Sequence, residues 1–152
     1  IDIAEFRGHL PNSVHHAFHY GQRLRNENGR TVNFTEDATA TFNNYAVYWT
    51  PERIDYLFNG RIIHSVVDAA AVANASSDMY MILNLALASP QTTGWIPTVD
   101  AGTDFSRAFE VDYVRVFAAD DNGPFVGIPE AGSAVADLFP EAYDATALAA
   151  TE

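Results

Sequence analysis

Short runs in which apolar and polar positions alternate predict a protein built mostly from β-strands. The runs are separated by polar turns, and no long segment repeats apolar residues with the 3.6-residue period of a helix. Strands at this spacing indicate an all-β, antiparallel sandwich or barrel. The predicted strands are Val14–Tyr20, Tyr45–Thr50, Ile54–Phe58, Arg61–Val67, Met79–Leu87 and Phe109–Phe117.

Turn residues fix several strand ends. Asn59-Gly60 separates two β-rich runs and predicts a tight hairpin, because both residues tolerate positive φ. Pro51-Glu52-Arg53 predicts the preceding turn. The alanine-rich stretch Asp68–Asp78 is expected to form a short helix or a loop packed over a sheet, and Trp49, inside a dense strand, is expected in the core.

The first five residues of the chain, Ile1–Glu5, carry two carboxylates within an apolar strand. Successive side chains of a strand point to opposite faces, so Asp2 and Glu5, three residues apart, have different parity. A β-bulge, which inserts one extra residue, would bring both to one face. Carboxylates on one wall of a cleft suit a hydrolase that needs one protonated and one ionised acid. Ordinary charges on an exposed edge strand are the alternative.

Composition limits the classes of partner. Apolar residues form 48% of the 152-residue chain and the net charge is −12. Residues 1–117 carry thirteen acids and eight arginines, net −5, whereas residues 118–152 carry seven acids and no base. Nucleic acid and anionic membranes both require clustered cations, so neither is expected as a partner.

We expect one domain over residues 1–117 and an acidic linker or tail over 118–152. The absence of cysteine excludes disulfides and thiolate metal sites.

Four of the five histidines lie between His9 and His19. His15 and His19 share strand parity, with Ala17 between them, so both can face one side of a sheet. A metal site is conceivable, but the sequence has no HExxH motif and no third ligand at a recognisable spacing. His16 has the opposite parity and is expected to be structural or exposed.

The opening residues resemble the catalytic signature of glycoside hydrolase family 16 in its bulged form, Glu-x-Asp-x-x-Glu. Asp2 and Glu5 match its last two acids, and its first glutamate falls one residue before Ile1. Further blocks are similar to the family's and follow in the same order. They are Glu5–His9, Val14–Tyr20, Tyr45–Ile54 with Phe58–Gly60, Met81–Ala86 and Val111–Val116.

The resemblance implies an antiparallel two-sheet β-jelly roll, a concanavalin A-like sandwich, whose N-terminal part is expected to precede this chain. It further implies retaining hydrolysis, with the glutamate before Ile1 as nucleophile, Glu5 as general acid/base and Asp2 as their electrostatic partner. His19 and His15 are then expected on the cleft floor, hydrogen-bonded to sugar or to a catalytic carboxylate.

Three further residues are candidates for ligand binding. Trp95 lies in a loop, where it can stack on a sugar or anchor the loop, and the segment around it departs from the family's Gly-Gly-Asn-Trp-Pro-Gly. Asn84 interrupts an apolar strand and needs polar partners that a cleft would supply. For Asp112 the resemblance implies a structural calcium ligand, with a salt bridge to Arg115 as the alternative.

The resemblance implies a secreted, monomeric laminarinase-type endo-β-glucanase that needs no cofactor for catalysis and acts on β-1,3 or mixed β-1,3/1,4 glucan. Agar- or carrageenan-cutting relatives share the bulge, although an acidic cleft favours a neutral polymer over a sulfated one. A lectin-like module that binds sugar without cutting it is the alternative from another class. The isolated 152-residue chain is expected to be inactive, because it would lack its nucleophile.

Overall fold

The computed structural model describes residues 1–22, 26–35, 37–88, 94–106 and 108–116. Within these residues the chain forms two antiparallel sheets of three strands each, ordered β1-β2-β3 and β4-β5-β6. The strands are β1 (Asp2–Glu5), β2 (Ser13–Tyr20), β3 (Asn26–Asn33), β4 (Tyr45–Trp49), β5 (Ile54–Phe58) and β6 (Arg61–Val66). An α-helical turn, α1 (Ala69–Val72), continues into a 3₁₀ turn, Ala73–Ser76.

One face of β2 packs against the second sheet and forms the core. Phe18 clusters with Ile54 and Tyr56 of β5 and with Val66 of β6. The small side chains of α1 and the following turn cover the same cluster, which is the packing expected for the alanine-rich stretch. Asp68 caps α1 by accepting a 2.8 Å hydrogen bond at Oδ1 from the Ala71 backbone N–H.

Aromatic and imidazole rings fill the space between the two sheets next to this cluster. His16 is fully buried and stacks on Tyr56, with 4.6 Å between the ring centroids. His64 of β6 lies 5.0 Å from His16 on the same stack. His16 is therefore structural, one of the two outcomes that its strand parity allowed.

The β5–β6 hairpin confirms the predicted Asn-Gly turn. Asn59 has φ 47° and Gly60 has φ 77°, the pair of left-handed conformations that such a two-residue turn requires. Before β5, the Thr50 N–H donates to the Arg53 carbonyl at 2.9 Å, which closes the predicted Pro51-Glu52-Arg53 turn. The four strands predicted between residues 14 and 67 agree with the structure to within one residue at each end.

Arg53, just before β5, pairs with a buried carboxylate of β5 and also reaches β6. The Asp55 side chain is fully buried, and Arg53 Nη2 donates to its Oδ1 at 2.7 Å. The same Arg53 nitrogen also donates to Ser65 Oγ on β6 at 3.1 Å. Because a charge inside a protein needs a close partner, this arginine is what permits a carboxylate at the centre of the sheet.

Some expectations were wrong. Met79–Leu87 and residues 109–116 belong to no strand, and their apolar side chains are largely exposed. Strand structure requires a hydrogen-bonded neighbour, and among the described residues neither stretch takes part in a ladder; the isolated bridge Ala88–Thr98 lies just beyond the first of them. Trp49, predicted in the core, is 42% exposed: it is the last residue of β4, opposite the buried Ile54 of β5, at the end of the side of the sheet that faces the core.

Residues 118–152, where the acidic linker or tail is predicted, lie outside the described part, as does Phe117. Within the described part, no helix has both the length and the apolar character needed to cross a membrane.

Candidate functional site

The predicted β-bulge in β1 is present. Asp2 pairs with Ala17 of β2, whereas Glu5 pairs with His15, so the register shifts by one residue between the two acids. Paired residues of neighbouring strands share a face, and Ala17 and His15 share a face because they are two residues apart. The bulge therefore cancels the wrong parity and turns both carboxylates to the same side of the sheet.

The neighbouring strand β3 adds three more residues to that side. His15 pairs with Thr31, Ala17 with Gly29, and His19 with Glu27. We call the set of side chains on this side of the sheet, Asp2, Glu5, His15, His19, Glu27 and Thr31, the carboxylate face. Sequence reasoning did not find β3 or Glu27, because the polar run Asn-Glu-Asn-Gly-Arg-Thr-Val-Asn has the composition of a loop.

Two histidines connect the acids of the carboxylate face. His19 Nε2 lies 3.0 Å from Asp2 Oδ2, and His19 Nδ1 lies 3.9 Å from Glu27 Oε2. His15 Nε2 lies 3.4 Å from Glu27 Oε1, and His15 Nδ1 lies 3.0 Å from Thr31 Oγ1. Each imidazole thus has a partner at both ring nitrogens, which fixes the ring orientation.

A glycine makes room for this arrangement. A Cβ atom at Gly29 would lie 2.5 Å from Glu27 Oε1 and 3.2 Å from His15 Nε2. The same atom would lie 3.2 Å from the Cβ of Ala17, directly across the ladder. Small residues at positions 17 and 29 therefore leave a shallow floor on which the longer side chains of the carboxylate face meet.

Glu5 has the electrostatic environment of an acid that holds its proton. Partial burial raises the pKa of the Glu5 carboxyl, and the nearby charge of Asp2 raises it further. His15 and His19 act in the opposite direction, while Glu27 adds to the increase. The net shift is upward, so Glu5 is the member of this group suited to donate a proton.

Trp95 borders the carboxylate face. Its ring meets His15 edge-on, with 5.1 Å between the centroids, and the Arg7 guanidinium lies 4.5 Å from the centroid of the tryptophan ring. The indole is 42% exposed and lines an open pocket of about 290 Å³. The pocket is lined by His9, Gly94, Trp95, Ile96, Pro97 and Thr98.

Two predicted site residues lie apart from this group. Asn84 is exposed on the stretch 79–87, and no hydrogen bond or ion pair joins it to the carboxylate face in the described part of the chain. Asp112 is exposed on the stretch 108–116. No group of three or more His, Cys, Asp or Glu side chains among the described residues is arranged to hold a metal ion.

Comparison with known proteins gives one family match and two curated relatives among its findings. The family profile described as "Glycosyl hydrolases family 16" matches residues 1–113. A glucan endo-1,3-beta-glucosidase A1 from Niallia circulans is 28% identical over 130 residues, covering 77% of this chain and 19% of that protein. A glucan endo-1,3-beta-glucosidase from Cryptopygus antarcticus is 26% identical over 129 residues, covering 76% of this chain and 47% of that protein.

The chain thus spans less than half the length of either relative. No solved structure gives a significant match to the chain.

Proposed function

We propose that this chain, which belongs to family 16 of the glycosyl hydrolases, carries the acid/base half of the active site of an endo-β-1,3-glucanase. Membership of the family supports glycoside hydrolysis with a polysaccharide as the substrate. The observation that carries the finer proposal is the bulge in β1, which brings Asp2 and Glu5 to one face. The names of the two relatives support β-1,3-glucan as the polymer.

The proposed architecture is the concanavalin A-like β-jelly roll. Two antiparallel sheets that pack through Phe18, Tyr56 and Val66 support it, since a jelly roll is such a two-sheet sandwich. Residues 1–117 would be the C-terminal portion of the catalytic domain, and the acidic residues 118–152 a linker or tail.

The proposed reaction is retaining hydrolysis by double displacement. Glu5 protonates the leaving glycosidic oxygen while a second carboxylate attacks the anomeric carbon; Glu5 then takes a proton from water, which releases the sugar. By the signature, that second carboxylate belongs to the position just before Ile1. The raised pKa of Glu5 supports its role as the acid, because a proton donor must be protonated at working pH.

Asp2 and the histidines would orient the reacting groups. Asp2 contributes negative charge that raises the pKa of Glu5, and it is itself held by His19 at 3.0 Å. His15 and Trp95 stand side by side at the edge of the face, where an exposed indole can stack on the apolar face of a pyranose ring. Because three acidic side chains, Asp2, Glu5 and Glu27, share this face, a neutral glucan suits the site better than a sulfated galactan.

The proposal also includes a structural calcium ion and secretion. A calcium ion at Asp112 would need further oxygen ligands beyond the described side chains, and no step of the reaction depends on it. Secretion follows from the substrate class, because a polysaccharide of this size is met outside the cell.

The first test identifies the codon immediately upstream of Ile1 in the gene. A glutamate there supplies the nucleophile, and the complete gene product should then release shorter β-1,3-glucans from laminarin. Any non-acidic residue would remove the nucleophile and refute the hydrolytic mechanism. Binding of laminarin without cleavage would instead identify a lectin-like module.

The second test replaces Glu5 by Gln in the complete gene product. We expect kcat on laminarin to fall by about 10³-fold, which is within the range for losing a general acid/base. An aryl glucoside with a good leaving group should lose much less in kcat/KM, because its departure needs no proton. Glu52→Gln, an exposed position in the turn before β5, is the matched control. Equal behaviour of the two variants would refute the assignment of Glu5.

A further inference from the structure

We propose that Glu27 is a positioning residue of this site, whose carboxylate bridges His15 and His19 and holds His19 against Asp2. The inference rests on the proposed function and extends it to strand β3. Glu27 is not part of the signature in β1, and it reaches the site only because β3 pairs with β2.

The geometry of the bridge is specific. One carboxylate oxygen of Glu27 faces His15 Nε2 at 3.4 Å, and the other faces His19 Nδ1 at 3.9 Å. The opposite nitrogen of His19 contacts Asp2 at 3.0 Å, so that imidazole stands between two carboxylates. A carboxylate is an acceptor at both oxygens and can therefore fix two imidazoles at once.

The space for the bridge is built into the opposing strands. Gly29 lies two residues after Glu27 on the same face, and its missing side chain leaves the room that the Glu27 carboxylate occupies, 2.5 Å from where a Cβ would lie. Ala17, the cross-strand partner of Gly29, is small as well. A carboxylate that pointed away into solvent would not need a residue without a side chain at position 29.

The expected effects of losing Glu27 on folding and on turnover separate a positioning role from a stabilising one. The Glu27 side chain is 48% exposed, and ion pairs that water can reach contribute little to folding. A displacement of about 1 Å at a catalytic group can change turnover by up to about 10²-fold. Loss of Glu27 should therefore affect catalysis far more than stability.

Glu27 also acts on Glu5 through its charge. Its carboxylate is one of the negative groups that raise the pKa of Glu5. Removing that charge lowers the pKa of Glu5, so Glu5 loses the proton that it must donate at a lower pH. The alkaline limb of the pH profile of kcat/KM then moves to lower pH, an effect that a merely structural residue would not produce.

The test is Glu27→Gln in the complete gene product, with Glu52→Gln as the exposed control. Glutamine keeps the length of the side chain and removes only its charge. We expect kcat on laminarin to fall about 10-fold with KM within about twofold, and the alkaline limb to move to lower pH. An unchanged kcat together with an unmoved alkaline limb would overturn the proposal.

A second readout does not depend on activity. The ring nitrogen chemical shifts of His15 and His19 report the charges and polar groups that contact the rings, and both sets should change in Glu27→Gln while staying constant in Glu52→Gln. If the wild-type protein cuts no glucan, the proposed function fails, and these shifts alone then decide whether Glu27 positions the histidines. Unchanged shifts of both rings would overturn the proposal whatever the activity.

Discussion

Acidification should destabilise this fold through the ring stack between the sheets. His16 of β2 is fully buried against Tyr56 of β5 and His64 of β6. Burial lowers the pKa of His16 from its ordinary 6.5 to about 4, and the neighbouring His64, His15 and Arg30 lower it in the same direction. The fold therefore holds this imidazole neutral where the unfolded chain would bind a proton.

The sign and size follow from proton linkage. Above about pH 6.5 the His16 ring is neutral in both the folded and the unfolded chain and contributes no pH dependence to stability. As the pH falls towards about 4, the unfolded chain takes up a proton that the folded chain refuses, and stability is lost. The full difference in pKa corresponds to about 3 kcal/mol, all of it lost below about pH 4. The pKa of His64 is lowered as well and adds a loss of the same sign.

The measurement is urea unfolding at a series of pH values for the wild type and for His16→Phe, which keeps an aromatic ring in the stack but cannot titrate. The carboxylates titrate alike in both proteins, so their contribution cancels in the difference. Between pH 7 and pH 4 the wild type should lose about 3 kcal/mol more than the variant.

His9→Gln removes an exposed histidine outside the stack and is the matched control. It should follow the wild-type curve throughout. Parallel curves for His16→Phe and the wild type would refute the reasoning, because a neutral buried His16 requires them to diverge.

Two further changes test the fold that carries the site. Arg53→Ala leaves the buried Asp55 carboxylate without its 2.7 Å partner and should destabilise the chain by about 3 kcal/mol in urea unfolding, whereas replacing both residues by Ala should recover part of the loss. Gly60→Ala places a side chain on a residue with a φ of 77° and should lower the free energy of unfolding by about 1 kcal/mol. Gly8→Ala, which has open space around the new side chain, is the neutral comparison. Equal Tm values for the two variants would contradict the turn assignment.

The sequence by itself determined the local elements of this protein. Alternation predicted four strands between residues 14 and 67, and Asn59-Gly60 predicted the hairpin, because side-chain parity and positive φ are properties of neighbouring residues. The parity conflict between Asp2 and Glu5 predicted the bulge, which the strand register confirms. Family membership was also recognisable from the order of short blocks along the chain, and the family match confirms it.

Tertiary structure decided which of these residues meet. Glu27 joined the carboxylate face only through the register of β3 on β2, and a polar run with loop-like composition gives no sign of that register. Arg7, His15 and Trp95 came together across long sequence separations that no local pattern encodes.

The same dependence on neighbours explains the incorrect predictions. Met79–Leu87 has the pattern of a strand, but without a hydrogen-bonded partner in the described chain its backbone forms no ladder. Trp49 was predicted inside because it lies in a dense strand, yet it is the last residue of β4 and remains partly exposed at the end of the face that carries Val47. Pattern sets which residues can share a face, and pairing between distant segments sets which face becomes a core or a site.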